Sequence, residues 1–143
     1  MIIKTTDSDT EKELAFDVRT KVFVDEQNVP PEEELDEFDQ DRETVHFTGY
    51  ENDELIAASR LRFVDSYGKL ERICVLKGHR GNAHGTQLIL AMENRIQQQN
   101  LTKAKLNSQT HAVDFYKRLG YEVVSGEFMD AGIPHVTMVK QLT

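Results

Sequence analysis

A single cysteine, Cys74, rules out an internal disulfide, and no Cys or His spacing in the chain resembles a zinc site, so no metal is expected. No apolar run approaches the roughly 18 residues needed to cross a bilayer. Residues 1–7 lack the basic-then-apolar order of a signal peptide. These absences argue against a membrane partner and fit a reducing cytoplasm. Positive charge is scarce as well: 17 Lys and Arg face 25 Asp and Glu, for a formal net charge of −8. Such a surface repels nucleic-acid phosphate and suits a cationic partner such as an amine. Low-complexity segments, repeats and linkers are missing too. With 38% apolar and 29% charged residues, residues 1–143 read as one globular domain able to bury its own core, as a monomer or homodimer.

The hydrophobic period changes along the chain. Ile2, Ile3 and Lys4 form a short strand candidate. Ser8 with Glu11 reads as a capping box for a helix to about Val24, with Leu14, Ala15, Val18 and Val22 on one face. Residues 28–43 carry Pro30, Pro31 and eight acidic positions, which predicts a loop or broken helix. Those acids read either as a solvated surface or as a recruiting surface for a cationic substrate. From Thr44 to Leu76 the period is two. Alternating runs at 45–50, 55–64 and 70–76, with turns at 51–54 and 65–68, predict a three-strand antiparallel meander. Gly85, Leu88, Ile89, Met92 and Ile96 keep helical spacing into and along the helix-like run 86–99, and 103–107 returns to strand, a parallel strand-helix-strand unit. Thr110 is placed to cap a helix with Ala112, Phe115, Tyr116 and Leu119 inward and Gly120 at its end. Segments 121–124 and 136–139 read as closing strands around the turn-rich 130–134.

The chemistry-bearing stretch is Arg80-Gly81-Asn82-Ala83-His84-Gly85-Thr86, between the third meander strand and the long helix. Small residues that open a helix just after a strand direct several unpaired backbone N–H groups, and the positive end of the helix dipole, to one point. That suits a phosphate, and a plain strand-to-helix turn is the other reading. Neither the Gly-Lys-Ser/Thr of a P-loop nor a Gly-x-Gly-x-x-Gly after a strand occurs, so a nucleotide site of those kinds is excluded.

The element order, the Arg-Gly-x-x-x-Gly loop from Arg80 to Gly85 after Val75-Leu76, and Phe115-Tyr116-Lys117-Arg118-Leu119-Gly120-Tyr121 together resemble the GNAT acetyl-CoA-dependent N-acetyltransferases. The resemblance covers essentially the whole chain. The segments Val22-Phe23-Val24-Asp25-Glu26-Gln27 and 128–136 resemble, more narrowly, the small bacterial YjcF/ElaA-type members. It implies an α/β (α+β) GNAT fold with a single mixed, mostly antiparallel, splayed sheet flanked by helices. It also implies transfer of acetyl from acetyl-CoA to a primary amine, on a small molecule or a protein, by direct attack in a ternary complex. A non-catalytic acyl-CoA-binding or sensing module is the alternative. One departure stands out: Ala83 occupies the place of the loop's usual first Gly, adding a methyl where the backbone approaches phosphate.

The resemblance also assigns roles. Arg80, Gly81, Asn82, Ala83, His84, Gly85 and Thr86 would bind the CoA pyrophosphate. The backbone of Ile73, Cys74 and Val75 would meet the pantetheine arm and supply an oxyanion donor. A free alkyl amine near pKa 10 is mostly ammonium at neutral pH, so a base must take a proton. Glu71 is the first candidate, placed by simple alternation opposite Leu70, Cys74 and Leu76; a strand carboxylate paired with an Arg or Lys is its other reading. Glu26 and His135 are alternatives, both expected at the acceptor pocket. Tyr116 would return a proton to the departing thiolate, or else pack its ring with a solvated hydroxyl. Gln109 would meet the pantetheine arm or cap the helix. Cys74 reads as a small buried hydrophobe rather than a nucleophile.

Overall fold

Eight strands form one sheet in the computed structural model, which describes residues 1–143. They are β1 (Ile2–Thr5), β2 (Val45–Glu51), β3 (Glu54–Val64), β4 (Tyr67–Val75), β5 (Lys103–Gln109), β6 (Glu122–Val123), β7 (Phe128–Asp130) and β8 (Ile133–Gln141). The order is β1-β2-β3-β4-β5-β8-β6, with β7 also pairing β8. Only β4 and β5 run parallel, joined through helix α3 (His84–Gln98). The predicted mixed, mostly antiparallel sheet is therefore present. Sequence reading missed β7, and the closing strand around residues 121–124 shrinks to two paired residues. Ala131 and Gly132 both take positive φ, 51° and 76°, as a tight two-residue hairpin between β7 and β8 requires.

Parallel pairing between β4 and β5 covers only Gly68, Leu70 and the residue between them, against Ala104 to Leu106. Beyond Leu70 the two strands part, and residues 71–75 of β4 keep β3 as their only strand neighbour. This is the expected splay.

One face of the sheet carries α3, whose Leu88, Ile89, Met92 and Ile96 are fully buried among Phe47, Leu61, Leu70, Leu106 and Met138. The helix crosses at Gly68, where any Cβ would collide with the Ile96 side chain. The other face carries α1 (Asp9–Arg19), which continues as a π-helix over Thr20–Glu26. Ser8 Oγ accepts from the Glu11 N–H at 3.2 Å, and the Glu11 carboxylate reaches back to the Asp7 N–H. Ala15, Val18 and Val22 bury against Ala58 and Cys74. Leu14, expected on that face, is exposed, because the buried arc extends through Phe16 and Arg19 and leaves it at the margin. Helix α4 (Val113–Arg118) follows a 3-10 turn at Thr110–Ala112. No side chain caps either, so Thr110 does not cap as expected. Gly120, at φ 100°, ends α4 as expected, with Tyr121 N–H donating to Tyr116 O and Gly120 N–H to Lys117 O.

The acidic stretch is a broken helix, as predicted: α2 (Pro31–Glu34) and a 3-10 turn at Glu37–Gln40. Its acids are not simply a solvated face. Arg19 is fully buried, donating from Nε to Glu34 Oε1 at 2.8 Å and from Nη1 to Asp39 Oδ1 at 2.7 Å. Arg60, also buried, donates to Asp36, Asp39 and Glu71. Every second residue of a strand faces one side, so Arg60 on β3 meets acids packed over the sheet by α1 and α2.

His46 lies beside this network, nearly fully buried, edge-on to Phe16 and with Nε2 3.3 Å from the Asp39 carbonyl. Burial brings its pKa down to about 4. An unfolded chain takes a proton on His46 near pH 6.5 that the native state refuses. Stability should thus fall by roughly 3 kcal/mol between about pH 7 and 4 through this one group. Urea melts across that range test this; His46→Phe should flatten the slope, and an unchanged slope in the variant would refute it.

Candidate active site

Where β4 and β5 part, a cavity of about 570 Å³ opens between the strands, α2 and the β7–β8 turn. Glu71, Ile73, Gln109, Tyr116 and His135 line it together, as does Gln27. Five residues singled out from sequence thus meet in one place, although Glu71 and His135 lie 64 positions apart and are brought together only by the sheet's crossovers.

Glu71 does not sit opposite Cys74. Arg72 takes φ 57° and the β3–β4 register shifts between Ala58 and Arg60, so the alternation breaks. Glu71 and Cys74 consequently share the α1 face, while Leu70, Ile73 and Val75 pack toward α3. The Glu71 carboxylate accepts from Arg60 Nη2 at 2.7 Å and Arg62 Nε at 2.8 Å, and Lys69 Nζ lies 3.2 Å away. Burial alone would raise its pKa; the Arg62 hydrogen bond and the charges of Arg60, Lys69 and Arg62 outweigh it and bring it down to about 2. A carboxylate held there takes a proton from an ammonium only poorly at neutral pH. This is the paired-carboxylate reading, and it weakens the expectation of a direct base.

His135 is differently placed. Its Nδ1 lies 2.7 Å from the Ile133 carbonyl, which can only accept, so Nδ1 carries the proton. Nε2 makes no hydrogen bond within the protein. Phe128 stacks on the ring at 6.0 Å between centroids, fixing its plane. The Tyr116 hydroxyl likewise has no protein partner, and its ring packs edge-on to Phe115 and Tyr121. Burial pushes the Tyr116 phenol up to about 12, so it keeps its proton at neutral pH. The Gln109 amide is occupied on both sides: its Nε2 donates to Gln27 Oε1 at 2.9 Å, and His111 Nε2 lies 2.6 Å from its Oε1.

Glu26 is absent from the cavity wall, contrary to expectation. It pairs with Arg80 through both guanidinium nitrogens, at 2.6 and 2.7 Å, and Arg80 Nε donates to the Val75 carbonyl. The Arg80 hydrogen bond lowers the Glu26 pKa. Cys74 is buried among Ala15, Val18, Val22 and Ala58, with burial pushing its thiol up to about 12, as a packing residue would be.

The loop from Arg80 into α3 has the geometry of an anion cradle. No backbone N–H from Gly81 through Thr86 finds an acceptor within the protein, and no side chain caps this 15-residue helix. Gly81 and Ala83 take φ of 89° and 62°, turning the chain so that successive N–H groups face outward. His84 is buried at the helix start, with Nε2 2.9 Å from Glu51. A Cβ at Gly81 would meet nothing, which leaves the cradle open.

No helix is long and apolar enough to cross a membrane, and no group of His, Cys, Asp and Glu is arranged to hold a metal. Residues 6–142 match the family described as "Acetyltransferase (GNAT) domain". The chain is 50% identical over 127 residues to the uncharacterized N-acetyltransferase YjcF of Bacillus subtilis, covering 88% of this chain and 89% of that one. Crystal structures of Escherichia coli ElaA and of an acyl-CoA N-acyltransferase from Pseudomonas aeruginosa superpose with TM-scores of 0.88 and 0.84. Their identities are 25% and 28%, and they cover 99% and 97% of this chain and 100% and 97% of their own. A splayed sheet with an open anion cradle at the start of its crossover helix, joined to a family match over nearly the whole chain, places this protein in the GNAT acetyltransferase family.

Proposed function

We propose that the protein transfers acetyl from acetyl-CoA to a primary amine by direct attack within a ternary complex. The observation that carries this reading is the run of unpartnered N–H groups from Gly81 to Thr86, opening the long helix that follows the splayed strand β4. Arg80 and that loop would hold the pyrophosphate, with Arg80 exchanging Glu26 for phosphate. The open edge of β4 at Ile73, Cys74 and Val75 would face the pantetheine arm, with Gln109 at its end. Acetyl-CoA supplies the acyl group as a thioester, whose C–S bond breaks as the N–C bond forms.

His135 Nε2 takes the proton from the attacking amine, because its lone pair is the free base in the cavity wall. Tyr116 gives its hydroxyl proton to the thiolate, which leaves as the thiol. Glu71 holds Arg60 and Arg62 in place, so its part is positioning.

Gly85→Glu tests the carrying observation. A Cβ at Gly85 would be 3.7 Å from Phe115, an ordinary contact, so the fold should tolerate the change while the loop gains bulk and like charge. CoA-dependent thermal stabilisation should vanish in the variant; equal stabilisation of both proteins would remove the basis for acetyl-CoA. Tyr116→Phe keeps the ring and removes the hydroxyl, and with it the proton donor. Its kcat should fall roughly 10²-fold with CoA binding retained, and less with a thioester whose thiol leaves more readily. Parental turnover would make Tyr116 a packing residue.

A further inference from the structure

The ion-pair network that reaches the cavity wall does not balance. Arg19, Arg60, Arg62, Lys69 and Arg72 share only four carboxylates, those of Glu34, Asp36, Asp39 and Glu71. One positive charge is left over, and the geometry places it on Arg72. Each of the other four cations lies within 3.2 Å of a carboxylate oxygen, whereas Arg72 has Asp36 at 3.4 Å and Glu34 at 3.7 Å. Burial works against every guanidinium here. At Arg19 and Arg60 their carboxylate partners outweigh it and hold the pKa above its ordinary value, while at Arg72 burial, joined by the charges of Arg60 and Arg19, pushes it down. Glu32 and Glu33 line the same wall but are exposed and make no ion pair, so they do not complete it.

A separate observation concerns how Arg72 is held. Its backbone takes φ 57°, a conformation costly for an arginine and kept only where the surroundings impose it. Nε donates to the Glu34 carbonyl, and Nη2 to the Glu33 carbonyl and Asp36. Nη1 has no acceptor in the protein and is not shut off from solvent, and Arg72 lines the cavity. The sheet register sets its place relative to His135. Counting two residues on from the Leu70–Leu106 pair brings Arg72 level with Ser108, whose neighbour Gln109 pairs with His135 on β8. Both side chains lie on the face away from α3: Arg72 reaches the α2 carbonyls, and His135 alternates with Val136, which packs toward α3. The two groups thus flank the cavity from strands two apart, roughly 10 Å plus the splay.

We infer that the acceptor is an amino carboxylate, a primary amine that also carries a carboxylate, whose carboxylate is held by Arg72 Nη1 while its amine faces His135. That anion would bring the network to five charges of each sign. The inference rests on the acetyl-transfer reading only for which group reacts.

The experiment is a calorimetric titration of the CoA-bound protein with 4-aminobutanoate and with 4-aminobutanamide, which keeps the amine and the carbonyl and loses the charge. The carboxylate should bind about tenfold more tightly at low salt, an advantage that shrinks as ionic strength rises. In Arg72→Gly the ratio should fall toward one. Glycine suits φ 57°, and the remaining network has four charges of each sign, so the variant should fold; Arg72→Asn, the next best residue at positive φ, replaces it if it does not. Equal affinities for the two compounds, no binding of either, or an unchanged ratio without the guanidinium would each overturn the inference. Lysine and glycyl-lysine carry the same two groups on a free amino acid and on a peptide end, and the tighter of the two identifies the source of the carboxylate. Turnover is read separately as CoA release. Its absence with every amine would overturn acetyl transfer, and the affinity ratio would still decide the question of the carboxylate.

Discussion

Replacing His135 with Gln should lower kcat for acetyl transfer by 10²-fold or more, the usual span for a general base being roughly 10²–10⁴. Gln can still donate to the Ile133 carbonyl but has no lone pair of comparable basicity at the Nε2 position. CoA-dependent stabilisation should be unchanged, because the anion cradle lies elsewhere. Part of the rate should return as pH rises toward the amine's own pKa near 10, where less of it needs deprotonating. Glu71→Gln is the contrasting variant. It strips an anion from Arg60 and Arg62, so its first effect should be on stability rather than on the pH profile. A His135→Gln enzyme with parental kcat and pH profile, beside a Glu71→Gln enzyme that folds normally and regains activity at high pH, would return the base to Glu71.

Asp39→Ala should destabilise the protein by roughly 3–5 kcal/mol, a drop in Tm of roughly 10–15 °C. Asp39 is almost fully buried and accepts from both Arg19 and Arg60, so its loss leaves two guanidinium groups short of a partner inside the protein. Burial would raise the Asp39 carboxyl, yet the hydrogen bond and charge of Arg19, with the charge of Arg60, hold it well below the usual carboxylate range. That depressed pKa means the network's contribution is complete above about pH 4 and is lost on acidification below it. Glu37→Ala, in an exposed neighbour without an ion pair, is the control and should move Tm little. A Tm for Asp39→Ala within about 3 °C of the parent would show the network to be solvated and weak.

The Arg60–Glu71 pair was within reach of the sequence. A two-residue turn at Asp65 and Ser66 sets Val64 against Tyr67, and counting outward puts Arg62 opposite Lys69 and Arg60 opposite Glu71. Reading the turn as four residues hid that register. The bulge at Arg72 had no comparable signal, since positive φ at an arginine is imposed by its surroundings, here the Glu33 and Glu34 carbonyls it reaches. The Gln27–Gln109 bond joins residues 82 positions apart, and no local pattern marks it.

Sequence by itself determined what depends on neighbours along the chain. The period-two meander, the apolar stripe of α3, the Ser8 cap, the Gly120 stop and the loop from Arg80 to Thr86 all arise from spacing and backbone preference. Tertiary structure decided what depends on charge and burial across distant segments. It turned much of an acidic surface stretch into an internal counterion for Arg19 and Arg60, took Glu26 out of the cavity, and saturated the Glu71 carboxylate. It also left the His135 Nε2 without a protein partner in the cavity that Tyr116 lines as well. The physical reason is that a side chain's proton affinity follows from the dielectric and charges around it, and those are assembled only when the sheet brings β3, β4, β5 and β8 together.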